Sequence, residues 1–118
     1  MALKHTFVII EKSSNKKYLY ATDVYDYYKQ GMLKEIYSID IKDEFLQNLL
    51  YDSFGNPRSN LRFDEWGIDV YEPKDVLEWI HFLNCTINIE KKDKNYQNMY
   101  LFMRDAKEEQ GYMIHFGI

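Results

Sequence analysis

The sequence predicts an α+β fold: an antiparallel sheet with a C-terminal three-strand meander and about three helices packed mainly on one face. Segments with apolar residues at helical spacing predict the helices, and segments that alternate apolar and polar residues predict the strands. We interpret residues 1–118 as a single globular domain, because this length leaves no room for a second one.

The N-terminal part of the chain is typical of strands. Thr6 to Glu11 is β-branched and apolar, and Lys17 to Ala21 alternates tyrosine with other residues. Ser13-Ser14-Asn15 supplies turn formers between them, so we expect a β-hairpin. A further strand is predicted within Leu33 to Ile39.

Three segments have the marks of helices. The first is predicted over Asp23 to Gln30 with Thr22 as its N-cap, and the second over Ile41 to Phe54 with Asp40 as its cap. A third helix begins at Pro73, a residue favoured in the first helical turn. The apolar stripe of the second helix is formed by Phe45, Leu46, Leu49 and Leu50.

The remaining strands are predicted towards the C-terminus. A short strand at Ile68 to Tyr71 precedes the third helix. Cys85 to Glu90 alternates with period two, and Asn98 to Arg104 and Tyr112 to Ile118 are interpreted as two more strands. These last three segments form the expected meander.

Charge and composition exclude several classes of function. The net charge is −4 and the predicted pI is 5.3, which argues against duplex nucleic acid as the main ligand. The single cysteine, Cys85, excludes an intramolecular disulfide and favours a cytoplasmic protein. No apolar run approaches the roughly 20 residues needed to span a bilayer, so no membrane association is expected.

No recognisable motif for catalysis, a metal or a cofactor occurs, so we expect neither a cofactor nor a built metal site. His5, His81 and His115 stand in no metal-binding spacing. One alternative is that the protein is an enzyme. His5 and His115, brought together by strand pairing, would then serve as the acid and the base of a small ribonuclease-like phosphodiesterase.

A second alternative is a module that binds single-stranded nucleic acid. Lys91, Lys92 and Lys94 precede Tyr96, and this mixture of bases and rings is typical of stacking platforms. Tyr100 and Phe102 follow on a predicted strand, where they serve equally well as core residues.

The segment 63–79 favours a binding protein over an enzyme. It combines six carboxylates with both tryptophans of the chain and only one lysine. Carboxylates steer a basic partner, and large rings supply contact area. We therefore predict a bacterial immunity or antitoxin protein that occludes a basic partner such as a nuclease toxin. The predicted contact residues are Asp64, Glu65, Trp66, Asp69, Tyr71, Glu72, Asp75, Glu78 and Trp79.

Overall fold

A computed structural model describes residues 3–11 and 21–118, without the side chains of residues 21 and 22. Within this part of the chain, the fold is α+β, with a four-stranded antiparallel sheet and four helices. The predicted hairpin turn and its second strand up to residue 20 lie outside the described residues. The predicted cap at Thr22 is wrong, because α1 already begins at Ala21.

The sheet places its N-terminal and C-terminal strands side by side in the middle. The strand order is β2-β1-β4-β3, and all neighbouring strands are antiparallel. The elements in chain order are β1 (Lys4–Ile10), α1 (Ala21–Lys29), β2 (Glu35–Lys42), α2 (Asp43–Leu50), β3 (Ile68–Tyr71), α3 (Pro73–Cys85), α4 (Lys94–Glu109) and β4 (Tyr112–Phe116).

The two faces of the sheet carry different helices. Side chains alternate along a strand, so Phe7 and Ile9 of β1 point to one face, while Val8 and Ile10 point to the other. Phe7 and Ile9 belong to the larger core, which contains the buried residues of α2, α3 and α4. Val8 and Ile10 pack in a smaller core with Val24 of α1. Three of the four described helices therefore share one face, and they are α2, α3 and α4. The first predicted helix, α1, packs on the opposite face, and α4 occupies a segment that was predicted as a strand.

The predicted C-terminal meander is wrong. Cys85 is the last residue of α3, the segment up to residue 93 is irregular, and Asn98 to Arg104 lies inside α4. Asp93 caps α4, since its side chain accepts hydrogen bonds from the backbone N–H groups of the second and third residues after it. The buried positions of α4 recur at helical spacing, at Tyr96, Met99, Phe102, Met103 and Ala106. Only the last of the three predicted strands, now β4, is present.

The second helix is shorter than predicted, and this difference matters for the site. Asp40 does not cap it, because Asp40 and Ile41 extend β2 and pair with Thr6 and His5 of β1. The helix begins at Asp43, immediately after the last paired residue of β2. The carboxylate of the first helical residue, Asp43, is thereby brought next to the N-terminal end of β1.

The predicted strand at Ile68–Tyr71 and the helix that begins at Pro73 are confirmed. Glu72 and Asp75 form a capping box at the start of α3, in which each side chain accepts a backbone N–H of the other. Among the described residues, none of the helices is both long and apolar enough to cross a membrane.

Candidate functional site: a buried histidine chain and an acidic turn

Four side chains form a continuous line of hydrogen bonds, here called the histidine chain: Asp43, His5, His115 and Asp69. Nε2 of His5 lies 2.7 Å from Oδ1 of Asp43, and Nδ1 of His5 lies 2.8 Å from Nε2 of His115. Nδ1 of His115 lies 2.9 Å from Oδ2 of Asp69. Strand register explains the arrangement, since His115 of β4 is paired directly with Asp69 of β3 and lies diagonally across from His5 of β1.

The histidine chain is buried at three of its four positions. The relative exposure of both histidines is 0% and that of Asp69 is 3%, whereas the side chain of Asp43 is 20% exposed. The half-buried ring of Phe63 stacks on His115 with the ring centroids 4.4 Å apart. Asp43 also lines a surface cavity of about 210 Å³. Within the histidine chain, only the Asp43 end therefore reaches solvent.

Asp69 is held as a carboxylate despite its burial. Burial alone would raise its pKa, but hydrogen bonds from His115 and from the backbone N–H of Asp64 outweigh that effect. The positive charges of His115 and Arg62 act in the same direction as these hydrogen bonds, and the pKa of Asp69 is lowered. The Arg62 guanidinium lies 3.8 Å from Oδ1 of Asp69. Since this carboxylate accepts, Nδ1 of His115 is the donor in their hydrogen bond.

Above the histidine chain lies a tight loop, here called the acidic turn: Asp64, Glu65, Trp66 and Gly67. Oδ1 of Asp64 accepts hydrogen bonds of 3.0 Å from the backbone N–H groups of both Trp66 and Gly67. This local bonding is typical of aspartate in turns. The indole of Trp66 projects outward and is 71% exposed.

The C-terminal residues after β4 clamp the acidic turn from below. The backbone N–H of Gly117 donates to the Gly67 carbonyl at 2.8 Å, and that of Ile118 donates to the Glu65 carbonyl at 3.0 Å. A Cβ at position 117 would lie 2.5 Å from the Glu65 oxygen and 2.7 Å from the Gly67 oxygen. Glycine is thus required here for the close approach of the two backbones.

The acidic turn and the histidine chain share hydrogen-bond partners. The backbone N–H of Asp64 donates to Oδ2 of Asp69 at 2.8 Å, and the same oxygen is bonded to the histidine chain. At the other end, the Gln47 amide donates to Asp43 at 3.3 Å and also to the Glu65 carboxylate. A displacement of either unit therefore disturbs the other.

The chain matches no protein-family model, no curated protein and no solved structure.

Three of the nine predicted contact residues are buried. The relative exposure is 3% for Asp69, 1% for Tyr71 and 0% for Trp79. Tyr71 donates a hydrogen bond of 2.5 Å to the Arg62 carbonyl, and burial raises the pKa of its phenol. A partner that docks on this structure does not reach these three side chains. The other six are at least partly exposed: Asp64, Glu65, Trp66, Glu72, Asp75 and Glu78.

The histidine pair that sequence reasoning singled out does meet in space, but its geometry does not suit phosphodiester cleavage. A gap of 2.8 Å between the two ring nitrogens leaves no room for a phosphate between an acid and a base. Carboxylates lie at both outer ends of the pair and repel a phosphate. In the described ranges, no group of three or more His, Cys, Asp or Glu side chains is placed to hold a metal ion.

The lysine-aromatic segment is not a stacking platform. Tyr96 is 6% exposed, and its hydroxyl donates to the Leu83 carbonyl at 2.8 Å. Nζ of Lys91 donates to the same carbonyl at 2.8 Å and lies 4.6 Å from the centre of the Tyr96 ring. Lys91 therefore covers the ring on which a base would have to stack, while Lys92 and Lys94 remain exposed.

An open groove runs beside α3. Its volume is about 530 Å³, and Leu61, Leu77, Phe82 and Cys85 contribute to its wall. Glu78 also lines it, so a carboxylate borders an apolar depression. Sequence reasoning assigned Glu78 to the contact surface but did not detect the groove, which requires the loop at Leu61 to fold back onto α3.

Proposed function

We propose that this protein binds and occludes a basic protein partner through the acidic turn and the neighbouring carboxylates of α3. The observation that carries the proposal is the indole of Trp66, which is 71% exposed on a turn held by hydrogen bonds at both ends. Because the backbone that carries this ring is already ordered, the turn loses little backbone freedom on binding, and more of the contact energy of the ring is retained in the complex.

The charge around Trp66 favours a basic partner. Asp64 and Glu65 precede it in the turn, and Glu78 is exposed on α3. Two further acids of the segment are partly neutralised, since Nζ of Lys74 lies 3.5 Å from the carboxylate of Glu72 and the Arg62 guanidinium lies 3.9 Å from that of Asp75. The carboxylates steer a positively charged surface towards the indole and raise the rate of encounter.

In its most concrete form, the proposal is a bacterial immunity or antitoxin protein that covers a nuclease toxin in the cytoplasm. A nuclease must attract phosphates, so its active site carries positive charge, and an acidic face with an aromatic anchor is complementary to it. The groove beside Glu78 would receive an apolar side chain of the same partner, next to one of its basic groups.

The test is affinity capture from the native host with three baits: wild type, Trp66→Ala and Phe54→Ala. Phe54 is the matched control, because it is an aromatic residue with 88% exposure on a different loop. We expect one basic protein to be retained by wild type and Phe54→Ala and lost by Trp66→Ala, and the captured protein to lose nuclease activity when the bait is added. Equal capture by all three baits would remove Trp66 from the interface and with it this proposal.

A further inference from the structure

We infer that the histidine chain holds three protons, and that the third one fixes the acidic turn in its partner-binding form. The regulatory part of this inference rests on the proposed function, whereas the proton count stands on geometry alone. Three contacts link the four groups, at 2.7, 2.8 and 2.9 Å, and each requires one hydrogen between its two heavy atoms.

Two neutral histidines and two carboxylates supply only two hydrogens. If Nε2 of His5 donates to Asp43 and Nδ1 of His115 donates to Asp69, the facing nitrogens of the two rings carry only lone pairs. Two lone pairs 2.8 Å apart repel each other, so this distance requires a proton between the rings. The histidine chain then carries a net charge of −1, since it contains two carboxylates and one imidazolium.

No other assignment removes the need for the third proton. If His5 turns its hydrogen towards His115, its Nε2 presents a lone pair to Asp43, and that carboxylate must then be protonated instead. Burial makes an unpaired polar atom costly here, because both rings are 0% exposed. Charged or polar groups of three surrounding elements face the histidine chain. They are Gln47 and Tyr51 at α2, Arg62, Asp64 and Glu65 in the loop before β3, and the Trp79 indole of α3.

Loss of the third proton is transmitted to the acidic turn through shared atoms. Oδ2 of Asp69 accepts from both His115 and the backbone N–H of Asp64. The ring of Phe63, which precedes the turn, stacks on His115 and lies 5.4 Å from His5. When the two imidazoles move apart, these contacts change together, and Trp66 loses its fixed position. The proton exchanges with solvent through Asp43, the only partly exposed member.

The substitution Asp43→Asn tests this count because an amide both donates and accepts. Its N–H₂ donates to Nε2 of His5, so the hydrogen of His5 moves to Nδ1 and serves the contact with His115. All three hydrogen bonds then form with two neutral histidines, and no extra proton is needed. Glu44→Gln is the matched control, since it removes the same charge from the neighbouring exposed residue of α2.

The experiment is an NMR titration from about pH 6 to about pH 9 that follows the imidazole nitrogens and the backbone amides. In wild type and Glu44→Gln, we expect both histidines to respond in one shared step, and the amides of Asp64 and Gly117 to shift with the same midpoint. In Asp43→Asn, that step disappears. Independent titration of the two rings, or turn amides that do not respond with them, would overturn the inference.

A second readout separates regulation from the proposed partner chemistry. An oligolysine peptide serves as the basic probe, and its binding is measured at constant ionic strength across the same pH range. We expect the affinity of wild type to fall as the third proton leaves, because loss of the ordered turn outweighs the one added and mostly buried negative charge. The affinity of Asp43→Asn is expected to stay level. Binding that is unchanged through a visible histidine step would overturn the regulatory part. No binding at any pH would overturn the proposed function while leaving the proton count in place.

Discussion

Nδ1 of His5 lies 2.8 Å from Nε2 of His115, although 110 residues separate the two histidines in the chain. This contact joins the strand at the start of the described chain to the strand at its end. It is also joined to the loop that carries the exposed Trp66, because the ring of Phe63 stacks on His115 and the backbone N–H of Asp64 donates to Asp69. Its protonation is therefore expected to affect both the stability of the fold and the surface proposed to bind a partner.

The first prediction concerns stability at alkaline pH. The folded histidine chain holds three protons, whereas the unfolded groups hold two once free histidine has lost its charge, above about pH 6.5. By this proton count folding takes up one proton, so the free energy of unfolding is expected to fall as pH rises through the alkaline range. Below about pH 6.5, each unfolded histidine binds a second proton, so the unfolded protein holds more protons than the folded one. The free energy of unfolding then rises with pH.

Urea denaturation at a series of pH values measures this slope. Asp43→Asn is expected to remain level between about pH 7 and about pH 9, because its hydrogen bonds need no third proton. Glu44→Gln is expected to follow wild type. Parallel curves for wild type and Asp43→Asn would show that the folded network binds no additional proton.

The second prediction separates Asp69 from the surface acids. Asp69→Asn is expected to lower the free energy of unfolding by about 1–3 kcal/mol, because a neutral amide oxygen accepts more weakly than the carboxylate and the attraction to Arg62 is lost. Asp69→Lys would bury a positive charge near Arg62 and cost about 3–5 kcal/mol or more. Glu78→Lys, on the exposed side of α3, is expected to change stability by less than about 0.5 kcal/mol.

The same residue gives stability an acid dependence. Since the pKa of Asp69 is lowered in the folded protein, its contribution is present at neutral pH and is lost as pH falls through the folded value. The stability difference between wild type and Asp69→Asn should therefore shrink in acid. A difference that is constant with pH, measured by the same urea experiment, would contradict the assignment of Asp69 as a stabilised carboxylate.

The third prediction concerns the clamp beneath the acidic turn. Gly117→Ala places a methyl group against the carbonyl oxygens of Glu65 and Gly67, so the turn must move. We expect a loss of about 1–3 kcal/mol in the free energy of unfolding, together with a change in the emission and acrylamide quenching of Trp66. Trp79 contributes a constant background, since it is fully buried.

Gly31→Ala is the matched control for that substitution. Gly31 has φ of +76° and open space around its Cβ position, so alanine strains the backbone without touching the turn. Its cost is about 1 kcal/mol, with no change in Trp66. Similar Trp66 signals in both variants would mean that the clamp does not position the indole.

Much of the fold could be predicted because its elements have clear local signals. The strand at Ile68–Tyr71 and the proline that begins α3 are examples. The prediction of the meander was wrong because Tyr100 and Phe102 are spaced like residues on one face of a strand. The buried residues at helical spacing, such as Met99 and Met103, become evident only from their packing against α3 and the sheet. A short apolar run is ambiguous between the two periods.

The site could be predicted only in part. His5 and His115 stood out as residues on predicted strands, but their acidic partners lie 38 and 46 residues away in the sequence. Asp69 is placed by strand register, and Asp43 is placed by the start of α2 directly after β2. Tyr71 and Trp79 were assigned to the surface because acids surround them in sequence. Tyr71 points into the core because side chains alternate along β3, and Trp79 does so because it lies on the inner face of α3. The local composition does not reveal either orientation.

The most direct test of the account is the affinity of the captured partner for wild type, Trp66→Ala and Phe54→Ala, measured by calorimetry at two salt concentrations. We expect Trp66→Ala to weaken binding by about 2 kcal/mol or more, roughly thirtyfold, and Phe54→Ala to leave the Kd nearly unchanged. Wild-type affinity should also fall with added salt, as expected for an acidic face on a basic partner. Equal Kd values for Trp66→Ala and wild type, with no salt dependence, would contradict the proposal that the acidic turn is the binding surface.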